Sequence, residues 1–384
     1  MLKGTFPVEK FGALRTPFYY YDLRLLRRTL EAVKSAVADT PEFKVHYAVK
    51  ANANPVLLGE IAASGLGADC VSGGEIQAAV DAGFKPSGIV YAGVGKSDAE
   101  IRLALEKGIS RFNVESAAEL KVIGELAAEA GKKAPVSLRI NPDIGAHTHS
   151  NITTGLAENK FGINYEQMEE VLRLALSLPA VEYKGLHFHI GSQILDMMDF
   201  VALCNRINSL ASELASAGLP LGDVNVGGGL GVSYEHPNLL PVPDFKSYFD
   251  TFRRHLRLPA GTTVHFELGR SVVAQCGSLI SRVLYVKQGS TKQFAIIDGS
   301  MTELIRPALY KAYHRIENLS SDEPEEVYDV VGPVCESSDV FLKAAHLNSC
   351  RRGDFLAIRS AGAYGEAMAS RYNCRPLPES YYEK

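Results

Sequence analysis

The sequence predicts an α/β protein: a (β/α)8 barrel of the TIM type with a second, mainly β C-terminal domain that also takes in the N-terminal strand. Counted from Val45, eight short apolar strands follow one another, and a helix separates nearly every pair. Strict alternation of this kind implies parallel strands, and eight is the number that closes a barrel. Beyond Arg270 the helical patterns thin out and strand patterns take over.

These patterns set the expected domain bounds. We expect the barrel to occupy residues 23–272, and a β-sandwich or barrel-like domain to occupy residues 1–22 and 273–384. An open, doubly wound sheet would give a similar alternation, so the strand count alone leaves that architecture open.

Each element follows from the spacing of its apolar side chains, alternate positions for a strand and every third or fourth for a helix. The strands expected in and before the barrel are residues 18–21, 45–50, 68–72, 88–92, 111–115, 136–141, 185–191, 223–227 and 263–267. The expected helices are residues 23–37, 55–64, 74–82, 97–107, 117–130, 165–178, 200–217 and 244–258. The second domain should contain strands at residues 279–286, 293–297, 326–331 and 355–359.

Composition excludes several functional classes. The chain has 384 residues, of which 46% are hydrophobic and 22% are charged, as is ordinary for a globular protein. A formal net charge of -4 without a basic tract argues against nucleic-acid binding. No apolar run is long enough to span a bilayer, and we expect no signal peptide. The six cysteines are scattered without a CxxC pair, which favours a reducing cytoplasm over a structural zinc site.

Lys50 stands where the first barrel strand runs out, shortly before the breaker Pro55. In a (β/α)8 barrel the reacting groups gather at the carboxyl ends of the strands. A partly desolvated lysine amine there loses its proton more easily and can attack a carbonyl to form a Schiff base. The alternative is a surface lysine that merely closes the strand.

Other strand ends carry groups suited to the same chemistry. Three consecutive glycines, residues 227–229, expose backbone N–H groups that can hold a phosphate, although they could also form a simple tight turn. His187 and His189 share a strand face and could bind a metal, but no third ligand at matching spacing is evident. A more suitable role for His189 is to stack, as a neutral imidazole, on a flat ring. Glu267 could be a surface acid, or it could keep a pyridine nitrogen protonated.

Four of these motifs resemble the barrel-type, fold type III pyridoxal-phosphate-dependent decarboxylase family. They are residues 47–52 (YAVKAN), 189–193 (HIGSQ), 227–229 (GGG) and 267–270 (ELGR). The resemblance covers nearly the whole chain and keeps the motifs in the family's order. Most family members have proline where this chain has Leu268, but the change concerns only a backbone position.

Three later segments resemble the diaminopimelate decarboxylase branch of that family. They are residues 301–314 (MTELIRPALYKAYH), 332–339 (GPVCESSD) and 361–365 (AGAYG). The related ornithine decarboxylases carry Asp after the cysteine, whereas this chain has Glu336. Without the resemblance, Cys335 would be interpreted as one more buried thiol and Arg306 as a charge at a helix end.

The resemblance implies decarboxylation of meso-2,6-diaminopimelate to L-lysine, the last step of lysine biosynthesis. It also implies pyridoxal 5'-phosphate as cofactor and two catalytic residues, Lys50 and Cys335. Lys50 would hold the cofactor covalently and Cys335 would return a proton to the substrate carbon. The implied cofactor-binding residues are Lys50, Asp69, His189, Ser192, Gly228, Gly229, Glu267, Leu268, Gly269, Arg270 and Tyr364. The implied substrate-binding residues are Arg270, Arg306, Tyr310, Glu336 and Tyr364.

Substrate choice follows from the far end of the substrate. Arg270 and Arg306, with a hydrogen bond from Tyr310, suit its distal carboxylate, and Glu336 suits its distal ammonium. Ornithine has no distal carboxylate and would leave buried arginines unpaired. The resemblance also implies a homodimer in which Cys335 and Glu336 come from the partner subunit.

Three alternatives remain at this point. One is a decarboxylase for carboxynorspermidine or a basic amino acid. Another is a regulatory protein that keeps the fold without the chemistry, although such a protein should have lost Lys50 or Cys335. The third is a metal-dependent barrel hydrolase using His187 and His189. The polar loop of residues 142–160, which carries His147, His149 and Gly155, is a candidate lid or an ordinary surface excursion.

Overall fold

The computed structural model describes residues 4–142 and 160–384. The chain begins with α1 (Val8–Phe11), β1 (Phe18–Asp22) and α2 (Leu23–Val37). Eight parallel strands then close into a barrel, each neighbour paired in sequence order and β2 paired with β9. These strands are β2 (Phe43–Ala48), β3 (Gly67–Cys70), β4 (Ile89–Tyr91), β5 (Arg111–Val114), β6 (Ala134–Arg139), β7 (Val181–His187), β8 (Asp223–Asn225) and β9 (Val264–Leu268). The predicted (β/α)8 barrel is thereby confirmed, and the open sheet is wrong.

Helices alternate with the barrel strands as predicted. They are α3 (Pro55–Ala63), α4 (Gly73–Asp81), α5 (Asp98–Lys107), α6 (Ala117–Glu129), α7 (Met168–Ser177), α8 (Met197–Ser216) and α9 (Phe245–His255). Several begin at a side chain that accepts a hydrogen bond from the first turn; Ser97 and Glu100 form a reciprocal capping box at α5. Across residues 4–142 and 160–384, no helix combines the length and the apolar character needed to cross a membrane.

The second unit is mainly β and includes the N-terminal strand, as predicted. It contains the short helices α10 (Arg270–Val273) and α11 (Arg306–Tyr310). Its later strands are β10 (Gly277–Gln288), β11 (Gln293–Ile297), β12 (Ile316–Asn318), β13 (Glu325–Val331), β14 (Val340–Asn348), β15 (Phe355–Ile358) and β16 (Glu379–Glu383). The sheet runs β12-β15-β10-β11-β13-β14, and β1 pairs antiparallel with β10 and parallel with β16. Phe11, Phe18 and Phe355 pack edge-to-face in its core.

The chain divides into two compact units. One comprises residues 30–231 and 244–269, and the other comprises residues 1–29, 232–243 and 270–384. Residues 232–243 fall in the β unit because their polar groups bond there. The Asn238 side chain donates to Glu317 and accepts from Arg359, and the carbonyl of Ser233 accepts from Gln275.

Strand bounds also differ in places from those expected. Strand β2 ends at Ala48, so Lys50 lies in the 3-10 turn Val49–Ala51 that follows, and β7 begins at Val181 and ends at His187. Strand β14 was not predicted. Its alternation is broken at Ala344, which has a φ of 50°, and its pairing with β13 shifts register twice.

Near the amino-terminal ends of the barrel strands, a chain of polar contacts joins five residues. His46 Nδ1 lies 3.1 Å from the Gly88 carbonyl oxygen, and His46 Nε2 lies 2.9 Å from His265 Nδ1. His265 Nε2 lies 3.4 Å from Oδ2 of Asp223, which also pairs with Arg111 at 2.9 Å. Burial, followed by the neighbouring His265, lowers the pKa of His46 to about 3, and burial also lowers the pKa of His265. Both imidazoles are therefore neutral at physiological pH.

Candidate active site

Lys50 lies just beyond the carboxyl end of β2 and contacts the buried Asp69 of β3. Its Nζ donates to Asp69 Oδ2 at 3.3 Å, and the lysine side chain is 39% exposed. Burial, followed by the charge of Glu267, raises the pKa of Asp69. The other carboxylate oxygen, Oδ1, is buried and has no hydrogen-bond partner within the part of the chain that the structure describes. The lysine amine therefore has a proton acceptor beside it and remains accessible.

Glu267 on β9 is a buried carboxylate held by side chains from three other strands. Asn113 and Asn225 donate to Oε1 at 3.1 and 2.7 Å, and His187 donates to Oε2 at 3.1 Å. Burial by itself would raise the pKa of Glu267, but His187 and Lys50 outweigh it and the pKa is lowered. Glu267 is thus ionised inside the barrel, as a carboxylate that keeps a pyridine nitrogen protonated must be.

Asn113 and Asn225 were not singled out from the sequence, and His187 was considered only as a metal ligand. The sequence signal that could have identified the two asparagines was an amide side chain on an apolar barrel strand, since a buried polar group needs a bonded partner. His187 instead bonds to Glu267. No group of three or more His, Cys, Asp or Glu side chains that could hold a metal ion is found in residues 4–142 and 160–384.

His189 follows β7 and is held as a neutral ring. Desolvation, followed by the charges of Arg139 and Lys50, lowers the pKa of His189 well below its usual value. The backbone N–H of Gly228 lies 3.4 Å from His189 Nδ1, so this nitrogen is the acceptor. A neutral imidazole at this place suits stacking on a flat aromatic ring.

The glycine run after β8 is required by close backbone approach. A Cβ on Gly228 would lie 1.9 Å from the Glu267 carbonyl oxygen, and one on Gly229, where φ is 112°, would lie 2.9 Å from the Gly191 carbonyl oxygen. The N–H of Gly227 is bound by the Asn225 side chain. The N–H of Gly229 has no bonded partner among the described residues, so it is available to an anion.

Other predicted cofactor residues border these groups. Ser192 is half-buried beyond β7, and Leu268 is buried at the end of β9. Gly269 lies against the Lys50 turn, since a Cβ there would meet Ala48 and Ala51 at 3.1 Å. The amine, the ionised carboxylate, the neutral imidazole and the glycine loop fit pyridoxal phosphate, which needs a covalent anchor, a partner for its ring nitrogen, a stacking face and a phosphate cradle.

The β unit carries the predicted arginines in one cluster. Arg270 begins α10, is buried, donates to the Tyr234 hydroxyl at 2.6 Å, and lies 4.9 Å from the centre of the Tyr364 ring. Arg306 begins α11 and is also buried; Tyr310 follows it by one helical turn. Tyr364 has a φ of 56°, a conformation that non-glycine residues seldom adopt. The structure thus brings together Arg270, Arg306 and Tyr364.

Two side chains in this cluster were not assigned a role from the sequence. Tyr234 contacts both arginines, since the guanidinium of Arg306 lies 4.8 Å from the centre of its ring. His314 accepts from Arg306 Nη1 at 2.9 Å. His314 lies only eight residues after Arg306, in the segment of residues 301–314, but nothing in that segment shows that the histidine bonds to the arginine. Tyr234 lies 36 residues before Arg270, so its contact could not be predicted from local sequence.

Cys335 and Glu336 lie on an exposed loop of the β unit. The buried Asp339 holds this loop, accepting from the N–H groups of Val334 at 2.8 Å and Met301 at 2.7 Å. The Tyr372 hydroxyl donates to Glu336 at 2.8 Å. Neither Cys335 nor Glu336 takes part in the hydrogen bonds described above for the arginine cluster. Without the family resemblance, Cys335 would have been interpreted as a buried thiol, and that interpretation would have been wrong because the thiol is exposed.

The candidate lid, with His147, His149 and Gly155, lies almost wholly outside the described residues. Its carboxyl-terminal flank is fixed by Glu115, which accepts from the N–H of Gly162 at 2.7 Å.

Comparison with known proteins agrees with this geometry. The family profile described as pyridoxal-dependent decarboxylase, pyridoxal binding domain, matches residues 23–274. A diaminopimelate decarboxylase from Bacteroides thetaiotaomicron is 64% identical over 380 residues, covering 99% of this chain and 98% of that protein.

Solved structures point to the same family. Diaminopimelate decarboxylase from Helicobacter pylori complexed with L-lysine has a TM-score of 0.92 and 42% identity, covering 98% of this chain and 94% of that one. Lysine/ornithine decarboxylase from Vibrio vulnificus complexed with putrescine has a TM-score of 0.84 at 22% identity, covering 98% and 97%, and shares the fold. The chain therefore belongs to the pyridoxal-dependent decarboxylases and, within them, to the diaminopimelate decarboxylase family.

Proposed function

We propose that this protein decarboxylates meso-2,6-diaminopimelate to L-lysine and carbon dioxide with pyridoxal phosphate, as the last step of lysine biosynthesis by the diaminopimelate route. The observation that carries the choice of substrate is the buried Arg306, whose bonded partner is a neutral histidine rather than a carboxylate. A buried guanidinium in this state favours a substrate with a second carboxylate. The names of the relatives, and the L-lysine in the Helicobacter pylori structure, support the same substrate and product.

The barrel residues hold the cofactor in this proposal. Lys50 binds its aldehyde, Glu267 binds its ring nitrogen, His189 stacks on the ring, and Asp69 and Ser192 complete the surroundings. The phosphate is held by Gly228, Gly229, the backbone of residues 268–270 and the Tyr364 hydroxyl. The family match to residues 23–274 supports assigning cofactor binding to the expected barrel domain, residues 23–272, with residues 1–22 and 273–384 as the second domain. When bound, pyridoxal phosphate supplies an electron sink for the electron pair left when the carboxylate departs.

Side chains of the protein control the protons on the Lys50 amine, on the ring nitrogen and on the substrate carbon. Asp69 accepts a proton from Lys50, whose amine must be neutral to act as a nucleophile. The ionised Glu267 keeps positive charge on the ring nitrogen, which lowers the energy of the electron-rich transition state. Cys335 then delivers the proton that replaces the carboxylate on the substrate carbon.

The remaining residues select the substrate. Arg270, Arg306 and Tyr310 bind the distal carboxylate, Tyr364 adds a hydrogen bond, and Glu336 binds the distal ammonium. Cys335 and Glu336 act in the site of a second copy in a homodimer, which their exposure in the single chain supports. We place the enzyme in the cytoplasm because its six cysteines form no disulfide framework.

The test is a substrate panel. Purified protein with pyridoxal phosphate is incubated separately with meso-diaminopimelate, L-lysine, L-ornithine, L-arginine and carboxynorspermidine, and carbon dioxide release is measured. We expect rapid release only from meso-diaminopimelate, with one L-lysine formed per carbon dioxide. Faster release from any other compound, or none from meso-diaminopimelate while the cofactor is bound, would overturn the proposal.

A matched pair of lysine variants checks the anchor. Lys50→Ala should retain no cofactor absorbance after borohydride reduction and denaturing dialysis. Lys44→Ala, which removes an exposed lysine earlier on the same strand, should retain it.

A further inference from the structure

Arg306 is a buried guanidinium whose direct polar contacts are neutral. It is 6% exposed, and no ion pair to it is found in residues 4–142 and 160–384. Burial, together with the like charge of Arg270, lowers the pKa of Arg306. Its polar contacts are instead the His314 ring nitrogen and the face of the Tyr234 ring. A buried charge of this kind is costly unless a partner arrives.

The tautomer of His314 follows from its second contact. Its Nδ1 lies 2.8 Å from the carbonyl oxygen of Arg359, and a carbonyl can only accept, so Nδ1 carries the proton. Nε2 therefore has a lone pair, which accepts from Arg306 Nη1. Burial, followed by the charge of Arg306, lowers the pKa of His314 to about 3, so the ring stays neutral where enzymes work.

Tyr234 holds the two arginines with different parts of its side chain. Its hydroxyl accepts from Arg270 at 2.6 Å, and its ring lies under the Arg306 guanidinium at 4.8 Å. The edge of the ring meets His314, with centroids 5.1 Å apart and planes at 78°. These contacts fix the direction of each guanidinium without supplying a negative charge.

We propose that His314 and Tyr234 are positioning residues that determine substrate specificity. They orient the arginines through neutral contacts and leave the charge of Arg306 to be met by the substrate. An acidic residue at position 314 would orient Arg306 equally well but would neutralise it, and the site would lose its preference for a distal carboxylate. This inference rests on the proposed function and assigns the cause of its selectivity to two residues beyond the arginines themselves.

Three variants of His314 separate charge from shape. His314→Gln keeps a neutral acceptor, His314→Phe keeps a neutral ring without the acceptor, and His314→Glu introduces an anion. For each we measure kcat and KM with meso-diaminopimelate, together with inhibition constants for 2-aminopimelate, which has a distal carboxylate, and cadaverine, which has no carboxylate.

We expect KM for meso-diaminopimelate to rise about 100-fold in His314→Glu, about 10-fold in His314→Phe and less than about 3-fold in His314→Gln. The inhibition constant of 2-aminopimelate should rise in parallel, while that of cadaverine stays within about 3-fold of wild type, because cadaverine has no carboxylate to place in that site. His346→Glu, a change at an exposed histidine of β14, is the charge control and should leave all three values unchanged.

An unchanged KM in His314→Glu would overturn the inference. So would an equal loss of 2-aminopimelate and cadaverine binding in the Gln and Phe variants, since that pattern indicates a merely structural role. Should His314→Glu fail to fold, Tyr234→Phe provides the test: removing only the hydroxyl should weaken 2-aminopimelate binding about 10-fold and leave cadaverine binding unchanged. Failure of the proposed function is distinguishable, because the wild-type protein itself would then form no L-lysine from meso-diaminopimelate.

Discussion

At the scale of single residues, the chemistry of the site depends on which groups are charged. Glu267 is ionised although buried, because three side chains donate to it, and His189 is neutral because it is desolvated beside cations. The sequence predicted both residues through their motifs. An amide on an apolar strand was the only signal for the partners Asn113 and Asn225, and their bonds to Glu267 could not be predicted because they depend on how the barrel closes.

Glu267→Gln tests the need for this charge. The amide can keep hydrogen bonds within the barrel but cannot hold a proton on the ring nitrogen, so kcat should fall about 100-fold with cofactor affinity much less affected. Steady-state kinetics and a cofactor absorbance titration measure the two effects. Glu129→Gln, on the exposed face of α6, should change neither; normal turnover in Glu267→Gln would contradict the assigned role.

At the scale of elements, the glycine loop has a steric requirement as well as a chemical one. The sequence predicted a phosphate cradle from the three glycines, and the structure adds a steric reason at Gly228, where a Cβ would overlap the Glu267 carbonyl. Elements defined by regular alternation were predictable, including the eight barrel strands. Strand β14 was not, because the left-handed residue Ala344 interrupts its pattern.

Two glycine substitutions should act in opposite directions. Gly228→Ala places a methyl group against backbone and should destabilise the protein by about 3 kcal/mol or more. Gly59→Ala, inside α3 with nothing within 4 Å, should stabilise it by about 0.5–1 kcal/mol. Urea unfolding measures both. Equal stability of wild type and Gly228→Ala would show that the loop can move to accommodate the methyl group.

At the scale of the whole molecule, two units with different architectures carry different groups. The barrel unit carries the amine, the carboxylate and the glycine loop, and the β unit carries the arginines and the exposed Cys335. Two domains were predictable because the helical pattern stops after Arg270. That residues 232–243 belong to the β unit was not predictable, because it depends on polar contacts to distant strands.

Subunit complementation tests the shared site. Lys50→Ala and Cys335→Ala should each be inactive as homodimers. When they are unfolded together in equal amounts and refolded, half of the dimers are mixed and each has one intact site, so about one quarter of wild-type activity should return. Lys50→Ala mixed with Glu267→Gln is the control and should regain nothing beyond the residual activity of each, because both changes affect the same chain's barrel. No recovery in the first mixture would place Cys335 in its own chain's site.

The polar chain that runs from the Gly88 carbonyl to Asp223 contains fewer N–H protons than polar contacts. Two neutral imidazoles bring two protons to three contacts. Whichever tautomers the two rings adopt, at least one of the three contacts, at 3.1, 2.9 and 3.4 Å, has no proton between its atoms. Because burial lowers the pKa of both His46 and His265, neither ring takes up the missing proton at neutral pH, and this end of the barrel stays one hydrogen short there.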